Sequence, residues 1–184
     1  TYSPLRKVGV KEGSRVAVMG LGGLGHMGVK LAASFGAEVT VFSRSPHKEA
    51  DAKALGAHEF VLTNVDGALD TLAGRYDVIL DTISAKHDIN GPLNCLKQEG
   101  TMIMVGASPE THDLAPFPLI FGNRSIMGSL VGGIPETQEM LDHCGKHGIT
   151  SDIEMVTPDN INDAYERTLK GDVKYRFVID CAKF

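Results

Sequence analysis

The chain has 184 residues, 42% hydrophobic and 22% charged, the balance of a globular protein with room for one domain and an appendage. A net charge of -5 argues against nucleic acid or an anionic membrane as partner, and no apolar run is long enough to cross a bilayer. The three cysteines, Cys95, Cys144 and Cys181, lie far apart without metal-ligand spacing, so reduced thiols in the cytoplasm are expected.

The chain opens on Thr1 without a signal-peptide pattern and reads as a processed chain or a fragment. Thr1 to Gly13 form a lead-in, with Ser3 expected to cap a short helix and Pro4 at its first position. Arg15 to Met19 read as a buried strand. The helix beyond it carries Leu24, Met27, Leu31 and Phe35 at helical spacing and is expected to stop at Gly36. Between strand and helix, Gly20-Leu21-Gly22-Gly23-Leu24-Gly25 fits G-x-G-x-x-G. Strand, glycine turn and helix in that order form a dinucleotide-binding fingerprint. Gly20 permits the tight turn, Gly22 lets the backbone approach a pyrophosphate, and Gly25 lets the helix pack close to the strand. The free N–H groups at the helix start then face the phosphates. A purely structural turn is the alternative.

Glu38 to Phe42 read as a second strand. Ser45 is expected to cap the next helix, with Pro46 at its first position and Gly56 at its end. Glu59 to Leu62, Tyr76 to Asp81, Thr101 to Gly106 and Ser125 to Val131 read as strands three to six, with a short helix over Asp66 to Leu72 and a short apolar piece over Phe117 to Phe121. Pro135 to Lys146 read as a helix with Met140, Leu141 and Cys144 on one face. Strands alternating with helices predict an α/β fold of the Rossmann type, a doubly wound six-stranded parallel sheet in the order 3-2-1-4-5-6. Its ligand belongs at the carboxyl ends of the strands. The chain then changes texture. Residues 1–148 are expected to form the cofactor-binding domain, and residues 149–184 a strand/helix/strand tail that packs elsewhere. In that tail Ile161, Ala164, Tyr165 and Leu169 are expected to face inward.

The end of strand two decides the cofactor. An acidic residue there would accept from the 2′-OH of NAD, yet no Asp or Glu occurs from Thr40 to Lys48. Ser43, Arg44, Ser45 and Lys48 cluster instead, and hydroxyls with cationic groups suit a 2′-phosphate. NADP is therefore favoured over NAD. The alternative is an ordinary solvated helix start.

With these residues in view, the chain resembles the zinc-dependent medium-chain alcohol dehydrogenases, and their cinnamyl-alcohol-dehydrogenase-like branch in particular. The matching stretches are Thr1 to Leu5, Gly20 to Lys30, Ser43-Arg44-Ser45, Glu136 to Met140 and Tyr175 to Asp180. The resemblance implies hydride transfer between NADP(H) and an alcohol or aldehyde. It implies cofactor contacts at Gly20, Leu21, Gly22, Gly23, Leu24, Gly25, Ser43, Arg44, Ser45, Lys48, Thr82, Gly106, Ser129, Leu130 and Val131. It also implies a homodimer, here through the strand-six edge. In that family a zinc ion polarises the substrate oxygen, and its ligands lie in an N-terminal catalytic domain upstream of the Thr-Tyr-Ser-Pro stretch. The chain thus reads as a C-terminal half, inactive alone, whose tail would pack on that domain. No catalytic residue and no metal ligand is expected in it. A zinc-free quinone-type reductase and a non-catalytic NADP(H)-binding module are the alternative readings.

Four groups of residues invite other chemistry. His26, in the first turn of the glycine helix, is expected to be neutral and to pack or hydrogen-bond, because a helix N-terminus disfavours a cation. Glu139, His143 and His147 share a helix but drift around it, and exposed surface is expected rather than a metal site. His87 and Asp88 read as loop hydrogen-bonding groups, and Asp81 as a residue that orders the loop after strand four.

Overall fold

The computed structural model of the chain describes residues 1–183. Helix α1 (Tyr2–Lys7) starts two residues earlier than expected: Thr1, not Ser3, holds the cap position, because Tyr2 and Leu5 are both drawn into the core. Strand β1 (Arg15–Met19) follows, then α2 (Gly23–Ser34) and β2 (Glu38–Ser43). A 3-10 turn over Pro46–Lys48 leads into α3 (Glu49–Ala54). Ser45 caps that turn by position only, since its hydroxyl makes no cap hydrogen bond.

Strand β3 (Glu59–Leu62) precedes β4 (Tyr76–Asp81). The helix expected over Asp66 to Leu72 reduces to one 3-10 turn at Asp70–Leu72, because Gly67 at φ +74° interrupts it. Helix α4 (Asn90–Cys95) feeds β5 (Leu96–Met104), whose regular pairing with β4 begins only at Thr101. A single helical turn, α5 (Phe117–Ile120), leads to β6 (Ser125–Gly128). That strand stops short of the expected Val131. Its partner β5 ends at Met104, and Ser129 N–H makes the last ladder contact, to the Met104 carbonyl at 3.1 Å. Helix α6 (Ile134–His147) ends at Gly148 in the left-handed conformation. Strand β7 (Ile153–Val156), a 3-10 turn (Pro158–Asn160), helix α7 (Ile161–Leu169), strand β8 (Arg176–Ile179) and a 3-10 turn over Cys181–Lys183 follow.

Strands β1 to β6 form one parallel sheet in the order β3-β2-β1-β4-β5-β6. Alternation along β1 explains why four of its five residues are buried. Val16 and Val18 join Leu5, Val29, Val39 and Leu80 in a core on one face, while Ala17 and Met19 join Phe42, Ile79, Leu93 and Met102 on the other. Helices cover both faces, which is what a parallel sheet with crossover connections requires.

The tail forms its own two-stranded parallel sheet, β7 with β8. It is tied to α2 and α3 by polar contacts. Lys30 Nζ donates to the Thr150 carbonyl at 2.9 Å and pairs with Asp152, and Lys174 Nζ pairs with Asp51 at 2.7 Å. Its expected inward face is corrected. Ala164 is buried, but Tyr165 is 69% and Leu169 81% exposed, because nothing among the described residues packs on that side of α7.

Candidate functional site: a crevice at the sheet's switch point

In the sheet order, β1 lies between β2 and β4, so the crossovers from β1 and β4 leave in opposite directions and open a crevice at their tips. Gly20 turns the chain there with φ +85°, a conformation that favours glycine, while its N–H donates to the Phe42 carbonyl at the end of β2. A Cβ on Gly25 would overlap the Gly20 carbonyl oxygen, so α2 approaches β1 as closely as it does only without a side chain at that position. A Cβ on Gly22 would meet open space. The backbone at the start of α2 is therefore approachable from outside. The first N–H groups of a helix have no partner within it, and the positive end of the helix dipole adds to their attraction for an anion.

Thr82 joins the two strand tips. Its backbone N–H and its hydroxyl both donate to the Met19 carbonyl, at 3.0 and 2.7 Å. Gly106, after β5, donates its N–H to the Asp81 carbonyl, and a Cβ there would overlap the Ile83 backbone. The loops after β4 and β5 thus run in backbone contact.

The groups at the end of β2 are linked to the glycine turn. Ser45 N–H donates to Ser43 Oγ at 3.1 Å, and Lys48 N–H to the Ser45 carbonyl at 3.1 Å. Lys48 Nζ reaches back to the Leu21 carbonyl at 2.9 Å, and burial holds its pKa below the usual lysine value. Arg44 is exposed and has no ion-pair partner among the described residues. A cation without a partner beside two hydroxyls, with no carboxylate on the same turn, fits a phosphate ester.

Leu24 lies far in the chain from the consecutive Ser129, Leu130 and Val131, yet all four line one cleft of about 570 Å³, together with Met27, Val105 and Arg176. Leu130 and Val131 are 88% and 87% exposed. All the residues implicated by the sequence therefore lie either at the strand tips, on the turn after β2 or along this neighbouring cleft.

One polar cluster beside the crevice has geometry that the sequence did not reveal. Asp81 is 1% exposed, and burial pushes its pKa upward. Its Oδ1 accepts Ile83 N–H at 3.0 Å and its Oδ2 lies 2.9 Å from His87 Nε2. His87 Nδ1 lies 2.8 Å from the Ala85 carbonyl oxygen, which can only accept. Nδ1 therefore carries a proton. The Nε2–Oδ2 contact then needs one more, held either by an imidazolium or by the Asp81 carboxyl. His112 stacks edge-on against His87 at 4.8 Å, and Asn90 bonds the backbone of Asp113 and Ala115. These contacts fasten the loop after β4 to the loop after β5. Asp88 accepts the N–H groups of Asn90 and Gly91 at the start of α4.

Residues 23–146 match the family described as zinc-binding dehydrogenase. The chain belongs to that family. It is 53% identical over 184 residues to alcohol dehydrogenase 9 of Catharanthus roseus, covering 99% of this chain and 51% of that one. Among solved structures, a cinnamyl alcohol dehydrogenase from Sorghum bicolor superimposes with a TM-score of 0.95 at 44% identity, over 98% of this chain and 52% of that one. The cinnamyl alcohol dehydrogenase of Helicobacter pylori, complexed with NADP(H), gives 0.89 at 39% identity, over 99% and 52%. The chain spans about half the length of the relatives it matches.

The zinc that gives this dehydrogenase family its description does not fit the residues here. Among the described residues no group of three or more His, Cys, Asp or Glu side chains could hold a metal ion. Glu139 is occupied by Tyr2 Oη at 2.8 Å and Arg6 Nε at 2.9 Å, and His143 Nε2 lies 2.8 Å from Ser34 Oγ. His143 is half-buried between Tyr2 and Phe35 rather than lying on open helix surface, which corrects that expectation. Burial pushes the Cys95 thiol up to about 11, far from a ready thiolate ligand.

Proposed function

We propose that these residues form the cofactor-binding part of an NADP-dependent alcohol dehydrogenase or aldehyde reductase, which moves a hydride between NADP(H) and an alcohol or aldehyde. The observation that carries this reading is the turn after β2. Arg44 stands exposed without an ion-pair partner among the described residues, beside Ser43 and Ser45, with Lys48 reaching the glycine turn. The names of relatives and the NADP(H) complex of a similar structure support it.

When bound, the nicotinamide supplies the hydride chemistry. The chain's own residues bind and orient. The start of α2, from Gly22 to Leu24, receives the pyrophosphate. Ser43, Arg44 and Ser45 hold the 2′-phosphate. Thr82 and Gly106 form the floor of the crevice, and Leu24 with Ser129, Leu130 and Val131 walls the nicotinamide end against water. Zinc and the substrate-activating groups belong to residues outside those described, and no step of the reaction is assigned to this chain's side chains.

Residues 1–148 constitute the cofactor domain in this reading, and residues 149–184 the segment that meets a catalytic domain. The exposure of Tyr165 and Leu169 supports that division. A homodimer through β6 is part of the same proposal. The strand pairs with β5 on one edge only, and an unpaired edge is a template for a second copy. A cytoplasmic location accords with three cysteines outside any disulfide. No helix among the described residues is long and apolar enough to cross a membrane.

Calorimetric titration with NADPH and NADH tests the reading. NADPH is expected to bind more tightly, and Arg44→Asp to weaken NADPH by about 10- to 100-fold while leaving NADH unchanged, the scale of a charged hydrogen bond lost. Equal affinity for both nucleotides, unaltered by the substitution, would remove the 2′-phosphate from this turn.

A further inference from the structure

We propose that His26 is a positioning residue for the cofactor turn: its Nδ1–H aims the Gly22–Gly23 peptide, and Tyr175 holds the ring that does so. The inference rests on the NADP(H) reading above and deepens it.

The imidazole is fully buried in the first turn of α2. The backbone N–H of His26 donates to the Gly22 carbonyl at 2.9 Å, the ordinary helical bond. Its Nδ1 lies 3.1 Å from the same oxygen. A carbonyl oxygen only accepts, so the contact assigns the proton to Nδ1 and a lone pair to Nε2. One residue thus supplies two donors to one oxygen. In a planar trans peptide the C=O and the following N–H point in opposite directions. Holding the Gly22 carbonyl toward α2 therefore holds the Gly23 N–H outward, where a phosphate oxygen would accept it. Two successive glycines have the widest backbone freedom of any pair, so this peptide gains most from being held.

The ring is held in turn. It stacks on Tyr175 with centroids 4.6 Å apart and planes 13° from parallel. His26 Nε2 and the Tyr175 hydroxyl are both buried without a hydrogen-bond partner among the described residues. An unpaired buried acceptor is a cost that packing does not explain, since a phenyl ring would fill the same place without one. The donor at Nδ1 explains it. Burial holds the ring's pKa below the usual histidine value, against the opposing pull of its hydrogen bonds to Gly22 and Gly23, so the ring is neutral at neutral pH.

Two substitutions separate positioning from packing. His26→Phe keeps a ring against Tyr175 and removes the donor. His26→Ser removes the ring but restores a donor, because a serine hydroxyl in a helix can bond the carbonyl four residues back. The full chain and both variants are titrated with NADPH by calorimetry and melted thermally, and the ring tautomer of the unaltered chain is read by nitrogen NMR. His26→Phe is expected to melt at or above the parent temperature yet bind NADPH about tenfold more weakly, the loss of one hydrogen bond. His26→Ser is expected to melt lower yet bind more tightly than His26→Phe. Affinity that merely follows melting temperature across the three proteins overturns the inference, as does a ring protonated on Nε2 alone. If the unaltered chain binds no NADPH, the functional reading itself falls and takes the inference with it. If it binds tightly and His26→Phe binds equally well, only the inference falls.

Discussion

Strands β1 and β7 read alike in sequence, short and mostly apolar, but the fold treats them differently. β1 is buried at four of its five residues, whereas in β7 only Val156 is. The difference lies in the neighbours. β1 has a strand on each side and helix-covered faces, so each alternating side chain finds a core. β7 has β8 alone, and Ile153 and Met155 face outward with Tyr165 and Leu169 of α7. A hydrophobic pattern thus specifies a strand locally, but burial is a property of what the rest of the chain brings to it.

The largest expected effect breaks the closed side of this comparison. Gly25→Val would drive a branched side chain into the Gly20 carbonyl, with Thr82 Oγ1 3.1 Å from the new Cβ. Neither strand tip can retreat, because Thr82 already bonds Met19. A loss of about 3 kcal/mol in urea unfolding is expected, the upper range of overpacking, together with NADPH binding too weak to measure. A variant that stays stable and binds normally would show that α2 does not need its close approach.

The Asp81–His87 pair gives the next effect, and its sign depends on the substitute. An asparagine can accept from Ile83 N–H through its oxygen and donate through its amide to a neutral His87 Nε2, as a protonated carboxyl would. A leucine can do neither. Asp81→Leu is expected to cost about 1–3 kcal/mol by leaving two buried groups without partners, and Asp81→Asn to cost less than about 1 kcal/mol. Equal losses in urea melts would mean that charge rather than hydrogen bonding holds the loop.

Proton linkage sharpens the comparison further. The pKa values of His26 and His143 are both lowered, mainly by burial, from a usual value of 6.5. Between the lowered folded value and 6.5 the unfolded chain binds more protons, so stability rises with pH across that window. Full stabilisation is expected above pH 6.5, with a progressive loss as pH falls below it. His26→Phe should flatten that slope in urea midpoints measured from pH 7.5 to 5. An unchanged slope would place the linkage elsewhere.

Much of the closed side was legible in the sequence because local rules and tertiary demands coincide there. Gly20, Gly22 and Gly25 mark the turn, continuous apolar runs mark the strands, and the strand order follows from alternation with helices. The residues around Asp66 were not legible as a 3-10 turn, because residue types do not state that Gly67 takes the left-handed conformation that breaks a helix there. The end of β6 depended on where β5 stops, which is a tertiary fact. The Asp81–His87–Ala85 contacts also escaped the sequence, since which nitrogen faces which acceptor is decided by the path of a loop. On α7 the pattern marked Ile161, Ala164, Tyr165 and Leu169 as facing inward, yet of these only Ala164 is buried, because a pattern cannot say whether its cover lies within the described residues.

That last point gives the smallest expected effect and the most direct test of the open side. Leu169→Lys changes an exposed apolar residue to a charged one on a helix face that nothing among the described residues covers. In dilute solution its effect on urea unfolding is expected to stay within about 0.5 kcal/mol, as for surface sites generally. The opposite exchange in β1, Val18→Lys, would put an unpaired charge into the core and prevent folding. Sedimentation at rising concentration tells whether a second copy covers this face. If Leu169→Lys leaves both stability and sedimentation unchanged, neither the described residues nor a second copy covers the α7 face. If the parent chain self-associates and the variant does not, a second copy covers the face, and β7 differs from β1 only in borrowing its neighbours from another molecule.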